Sequence, residues 1–435
     1  MSNFWGAVHF EKPAFFRYTK KKVGVSMKKR VLHAACFGVI SAFGLVWPAA
    51  AQVQHVMQVV GEDGLTSRTV AWLDDRAGTY PVFSYKKQGD TYEKTASVIW
   101  GERPPLYVEG AERAWQSYAV RLTGLEAGME YVYTVATETD RVEGAFTMPE
   151  KSPLEYKVSV MGDSQSVDYG EWGKTVNAAL RHMPQADLRI SMGDLTDNGQ
   201  AWFQWKAWLD EGRSAENIPL APVLGNHEAY SMTWTFAEPE TYSALFPVPQ
   251  NGPEGQTGLA YFFDYGDVRF ISLNTDEEEL GAMRSNMLTL EAVWLERILK
   301  QSETEHKRVI LLMHRSPWST PYSGAKDVNG IAFLPLIDKY EVPLVFTAHE
   351  HCYARSSPLR EGRPEAKGTV YITTGRSGSE TWAEAVRRPF DVAYDDCMDL
   401  PVYVELRLRK DGFYVSAYKR DGRLIDEAVI PVKKK

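Results

Sequence analysis

Cysteine is scarce in this chain, with three in 435 residues. Cys36, Cys352 and Cys397 are too few for a disulfide-stapled scaffold or a thiolate-built metal cluster, so stability has to come from a core and any metal chemistry from other donors. Positive charge is also short: 49 Lys and Arg stand against 57 Asp and Glu, a net charge of −8. That balance disfavours sequence-blind attachment to nucleic acid or to an anionic membrane surface. No internal repeat is present, which sets aside solenoids and propellers. The terminal Lys433–Lys435 tract reads most simply as a solvated tail. What the chain does have is length, enough for two or three domains, and aromatics, 13 Trp and 22 Tyr, which suit strands and pocket walls.

The stretch from Met27, MKKRVLHAACFGVISAFGLVWPAAAQ, sets a basic triplet before an apolar run of about 17 residues that closes on Ala49, Ala50 and Ala51. This is the pattern of a secretory signal cleaved after Ala51, and the run is at the short end of what spans a bilayer. The expectation is an exported protein, periplasmic or secreted, with residues 1–26 an upstream extension, 27–51 a signal peptide and no stable membrane insertion after cleavage. Removing residues 1–51 leaves 41 basic against 56 acidic residues, a net charge near −15. Cys36 leaves with the signal. Cys352 and Cys397 remain, either as one disulfide, which export permits, or as two buried or free thiols.

Residues 52–150 contain short alternating segments such as RTVAWLDD, YPVFSYKK and EYVYTVATE, separated by turn residues, and predict an all-β sandwich. YAVRLTGLEAGMEYVYTVAT resembles part of a fibronectin type III-like domain. From residue 151 the rhythm changes: strands such as YKVSVMGD, DLRISMGD, KRVILLMH and PLVFTAHEH alternate with helical segments such as WGKTVNAALRHM, AWFQWKAWLDE and LTLEAVWLERILKQSE. That alternation predicts an α/β domain over residues 151–435.

In open α/β sheets, ligands collect at the carboxyl ends of strands. Here those ends carry Asp163 and Gln165 in VMGDSQ, Asp194 and Asp197 in SMGDLTD, Asn226, His227 and Glu228 in PVLGNHE, His314 in ILLMHRSPW, and His349 and His351 in VFTAHEH. Any one of them is an ordinary turn or cap residue. Five such blocks in one domain are hard to explain as turns. An H-x-H pair on an extended segment also points both imidazoles to one side, where they can serve one metal pair.

The ordered set GD, GDxxD, GNHE, H and HxH resembles the calcineurin-like metallophosphoesterases, and AHEHCYAR with the hairpin YFFDYGDVRFISLNT resembles their purple acid phosphatase branch. The resemblance implies a two-sheet sandwich flanked by helices, in the order αββα, preceded by the fibronectin-like sandwich. It implies two metal ions: Asp163, a bridging Asp194 and His351 on the first; Asp194, Asn226, His314 and His349 on the second. Carboxylate, amide oxygen and imidazole suit Fe, Zn or Mn. A metal-bound hydroxide would be the nucleophile and His227 the general acid.

Two positions depart from the branch. Asp197 stands where purple acid phosphatases have a tyrosine ligand; it fits the GDxxD form, in which the carboxylate hydrogen-bonds the GNHE histidine and orients it. Gln165 stands where many relatives have a histidine ligand, and either lends its amide oxygen to the first metal or only hydrogen-bonds water or phosphate. Arg315 and Arg355 are the candidates for a bidentate grip on phosphate, or else pair with carboxylates. Tyr230, Tyr353 and Trp318 adjoin the metal blocks, as core or as pocket wall. The expected activity is hydrolysis of a small phosphorylated substrate, with monoesters favoured, diesters or nucleotides the alternative, and a binding protein on a catalytically weak domain the third reading.

Overall fold

A computed structural model describes residues 52–75, 80–100, 115–318, 327–381 and 387–432. The expected signal peptide and upstream extension lie outside the described residues. Among the described residues, no helix is long and apolar enough to cross a membrane.

Strands Tyr156–Met161 and Leu188–Ser191 pair in parallel, with Val160 opposite Ile190 and Met161 opposite Ser191. Both are buried along their apolar length, as strands covered on both faces must be. Because they end level, the Gly-Asp pairs that follow them leave on the same edge. Leu220–Pro222 extends the parallel set, and the antiparallel strand Val402–Arg409 flanks Tyr156–Met161 on the other side.

The second sheet is built on the hairpin Tyr261–Tyr265 and Val268–Leu273, followed in parallel by Arg308–Met313, Leu344–Thr347 and Val370–Thr374. Alternation along these strands divides their side chains between two cores. Phe270, Ile310 and Phe346 meet Val158, Val160 and Ile190 of the first sheet. Ile271, Leu311 and Val345 turn the other way, onto Leu295 and Ile298 of helix Met287–Thr304 and Phe333 and Ile337 of helix Val328–Lys339. Helices Tyr169–His182 and Trp202–Glu211 cover the first sheet, packing Trp172 on Trp208 at 5.6 Å. The sandwich flanked by helices is the architecture expected from the sequence.

The amino-terminal region is all β. Strand Val53–Val60, however, pairs in parallel with Leu220–Pro222, Val59 opposite Leu220, and so extends the first sheet to ten strands. A separate four-stranded sheet holds Val82–Lys87 and Glu130–Ala136. Its buried rings, Phe83, Tyr131, Tyr133 and Phe146, form a separate aromatic core with Trp72 and Tyr118.

Candidate metal centre

The loops that leave the parallel strands of both sheets converge on two buried aspartates. Asp163 accepts the backbone N–H of His349 on Oδ1 at 3.0 Å, while its Oδ2 lies 3.2 Å from His351 Nε2. Asp194 accepts the backbone N–H of His227 on Oδ1 at 2.9 Å, and its Oδ2 lies 3.2 Å from His314 Nε2. Each aspartate thus uses one oxygen to fix a loop and turns the other toward an imidazole. The two loops are themselves joined, because Asp194 O accepts the N–H groups of Ser164 at 2.9 Å and Gln165 at 3.0 Å.

The imidazoles are oriented for ligation. His314 Nδ1 sits 2.8 Å from Met192 O and His351 Nδ1 sits 3.0 Å from Glu380 O. A carbonyl can only accept, so each Nδ1 carries a hydrogen, and Nε2 is the ring atom that faces the centre and becomes a ligand once its own proton is displaced. His314 Nε2 also lies 3.1 Å from Asn226 Oδ1. Asp194, His314 and His349 each bring a ligand atom within 4.8 Å of the others.

Backbone strain gathers at these residues. Asp194 has φ 50°, His349 φ 70° and His351 φ 54°, left-handed values that cost energy for residues with a Cβ and persist where the surroundings impose them. This corrects the expected extended H-x-H segment. The two imidazoles reach the centre from successive left-handed turns after strand Leu344–Thr347, and they go to different aspartates. The glycine before Asp194 has a steric cause: Gly193 has φ 96°, and a Cβ there would come within 2.5 Å of His314 Nδ1.

Charge in the cluster is unevenly spread. Burial opposes a charged His314, but the carboxylates of Asp194, Asp163 and Asp276 outweigh it and raise its pKa to about 10. His351 is raised the same way by Asp163, again against burial. His349 goes the other way, pushed well down by burial and by the charge of His314. Metal ions fit this donor set: oriented Nε2 atoms face buried carboxylate oxygens, and both Asp163 Oδ2 and Gln165 Oε1 are buried without a hydrogen-bond partner. Gln165 is only 3% exposed, so its amide oxygen is an interior atom in need of a donor or a cation.

Among the remaining sequence candidates, His227 is partly exposed, and its Nδ1 lies 2.7 Å from the backbone O of Asp197. The Asp197 carboxylate is 3.8 Å away, so the short orienting contact comes from the main chain of the expected residue and not from its side chain. Neither arginine is free for phosphate. Arg315 is held by Glu278 at 2.9 Å and Glu279 at 2.6 Å, and Arg355 forms a bidentate pair with Asp426 at 2.6 and 3.0 Å. Tyr353 and Trp318 are buried in the core. Cys352 and Cys397 are buried thiols, not joined to each other.

Glu228 is a residue the motif contains but whose task the sequence did not reveal. Its buried carboxylate accepts N–H groups from Asp194 and Gly225 at 2.9 Å and from Leu195 at 2.8 Å, tying two ligand loops together. Burial and the neighbouring Asp194 push its pKa well up, against the pull of those donors. A cavity of about 1170 Å³ lies at the other end of the same strands, lined by Lys157, Asp187 and Pro219, and holds none of the candidate ligands.

Residues 156–353 match the family model of the calcineurin-like phosphoesterases, and the chain carries a metallophosphoesterase-like domain over that span. An uncharacterized protein of Mycobacterium tuberculosis is 31% identical over 62% of this chain and 59% of its own length. Purple acid phosphatase 15 of Arabidopsis thaliana is 26% identical over 60% of this chain and 53% of its own. The chain therefore spans somewhat more than half the length of these relatives. In fold, the purple acid phosphatase PPD1 of yellow lupin (Lupinus luteus) seeds superposes with a TM-score of 0.70 at 17% identity, covering 88% of this chain and 74% of that one. PhoD superposes at 0.57 and 14%, covering 86% and 92%.

Proposed function

We propose that the protein is an exported hydrolase of phosphate esters that works through two metal ions, with monoesters its better substrates. The observation that carries the reading is the matched pair of Asp–His contacts, Asp163 with His351 and Asp194 with His314, each at 3.2 Å and each with its imidazole anchored through Nδ1. Asp163 and His351, with Gln165 beside them, would hold one ion. Asp194, Asn226, His314 and His349 would hold the other, with Asp194 shared. Fe, Zn or Mn in these positions would supply Lewis-acid charge for the phosphoryl oxygens and activate water near neutral pH.

The chain's own contribution lies in positioning and proton delivery. Asp197 O fixes the His227 ring through Nδ1, and Nε2, 4.0 Å from Asp194 Oδ2, is left at the mouth of the site. A proton held on Nε2 can pass to the leaving-group oxygen as the ester bond breaks. Glu228 keeps the loops of Asp194 and Asn226 in register while this happens.

Hydrolysis of 4-nitrophenyl phosphate and bis(4-nitrophenyl) phosphate, after chelation and with metal added back, tests the reading. Metal-restored turnover with the monoester faster is expected. A faster diester would favour the phosphodiesterase or nucleotidase reading; two bound metals with no turnover would favour a binding protein. Export, with a fibronectin-like domain leading the mature chain, rests on the sequence of residues 27–51 and on the all-β region that follows. Amino-terminal sequencing of exported protein should begin at Gln52.

A further inference from the structure

The segment after His227 closes a short hairpin against it. Tyr230 and Phe236 form an antiparallel bridge, Ser231 N–H donates to Thr235 O at 2.8 Å, and Trp234 N–H donates to Ser231 O at 2.9 Å. The hydroxyls of Ser231 and Thr235 lie 2.7 Å apart, and the Asn198 amide donates to Ser231 O at 2.6 Å. That last bond tethers the hairpin to the loop carrying Asp194 and Asp197. At the tip, Trp234 adopts φ 60°, a left-handed conformation that is costly for a bulky side chain and points to a function when it persists. Its side chain is nevertheless only partly packed, since Trp234 is 56% exposed.

What the indole stands beside is His227. The Trp234 and His227 rings are edge-on at 6.4 Å, Tyr230 lies 5.4 Å from His227 and 5.8 Å from Trp234, and Phe236 backs Tyr230 at 5.7 Å. An aromatic shelf, open to solvent and held by a strained backbone, thus adjoins the residue that faces the leaving group. The geometry points to Trp234, supported by Tyr230, as a specificity-determining platform for phosphate esters whose leaving group carries a planar aromatic ring. The ring, a nucleobase or an aryl group, stacks on the indole while the ester oxygen faces His227. Every such ring has a face to offer, so the platform selects for planarity and not for a particular base. This inference rests on the reading of His227 as the proton donor on the leaving-group side.

The test compares adenosine 5′-monophosphate, phenyl phosphate and glycerol phosphate on the metal-loaded protein and on Trp234→Ala and Trp234→Phe. The ratio of kcat/KM for either ring-bearing ester over glycerol phosphate should fall by about tenfold in Trp234→Ala, carried by KM, and recover in Trp234→Phe. A fall for the nucleotide alone assigns the shelf to nucleobases, and a fall for phenyl phosphate alone assigns it to aryl groups. An unchanged ratio for both overturns the inference. Calorimetric binding of the three compounds to the same variants supplies a readout independent of turnover. Ring-selective binding lost in Trp234→Ala without hydrolysis would leave the shelf standing and sink the hydrolase reading; hydrolysis without ring selectivity would do the opposite.

Discussion

The two halves of the centre share one construction and differ in the further donors gathered around it. In each, an aspartate at the end of a parallel strand accepts a backbone N–H on Oδ1 and turns Oδ2 to an imidazole 3.2 Å away. In each, that imidazole is anchored through Nδ1 to a carbonyl. The Asp194 half gathers a second imidazole, His349, and the amide oxygen of Asn226. The Asp163 half has Gln165 beside Asp163, with a buried, unpartnered Oε1. The difference teaches that scaffold and donor strength are separable: the same loop geometry can hold a strong site or a weak one, according to which side chain the loop carries.

The sharpest way to break the comparison is Asp194→Asn. The amide keeps an oxygen for the His227 N–H but removes the charge the two ions would share. It should lower kcat/KM by about a thousandfold or more and deplete both metals on elemental analysis. If one metal and most of the activity survive, Asp194 does not join the halves.

Acidity should separate the halves next. In the metal-free chain the His314 imidazolium persists up to about pH 10, because the carboxylates around it outweigh burial. A metal arriving at the Asp194 half has to displace that proton, so its affinity rises with pH, by up to about tenfold per unit below pH 10. Calorimetric titration of zinc in buffers of different ionisation enthalpy should show proton release at that half. Affinity that is flat from pH 6 to 9 would count against this account.

Gln165→His sharpens the same contrast from the weak side. An imidazole there should tighten one metal site by about tenfold and leave the other as it was. Unchanged affinity at both would mean that the Gln165 side chain does not reach the ion. Glu228→Gln should act on stability more than on affinity. It replaces a buried acceptor of three loop N–H groups with a group that can accept on one atom only, at a cost of about 2–4 kcal/mol, read as a lower Tm in the metal-free protein.

How far the sequence reveals this centre depends on the kind of interaction. Asp163, Asp194, Asn226, His314, His349 and His351 were legible because each follows an apolar strand, and the strand period carries over directly into the end of the sheet. The left-handed turns at His349 and His351 were not legible, because the cause is packing against Asp163, which lies almost two hundred residues earlier in the chain. The same holds for strand Val53–Val60, whose alternating pattern marks it as a strand but carries no trace of the parallel neighbour at Leu220. Trp234 sits in SMTWTF with no period at all; only the hydroxyl network around Ser231 shows why an indole stays exposed there.

The arginines show the same limit on charge, and Arg355 carries the smallest expected effect on activity. A guanidinium four residues after a candidate metal ligand, His351 to Arg355 across Cys352–Ala354, is a candidate phosphate clamp on spacing alone. Alternation in strand Tyr353–Ser356 instead sends Arg355 and Tyr353 to one face, where both reach Asp426, at 2.6 and 2.8 Å. Arg355→Met should therefore leave kcat/KM within about twofold while lowering stability by about 1–3 kcal/mol, because Asp426 loses a charge-assisted, bidentate partner in a half-buried setting. Restoring Tm by Asp426→Asn in the Arg355→Met background would identify the loss as the stranded carboxylate. A selective rise in KM for phosphate esters, with Tm unchanged, would instead return Arg355 to the substrate.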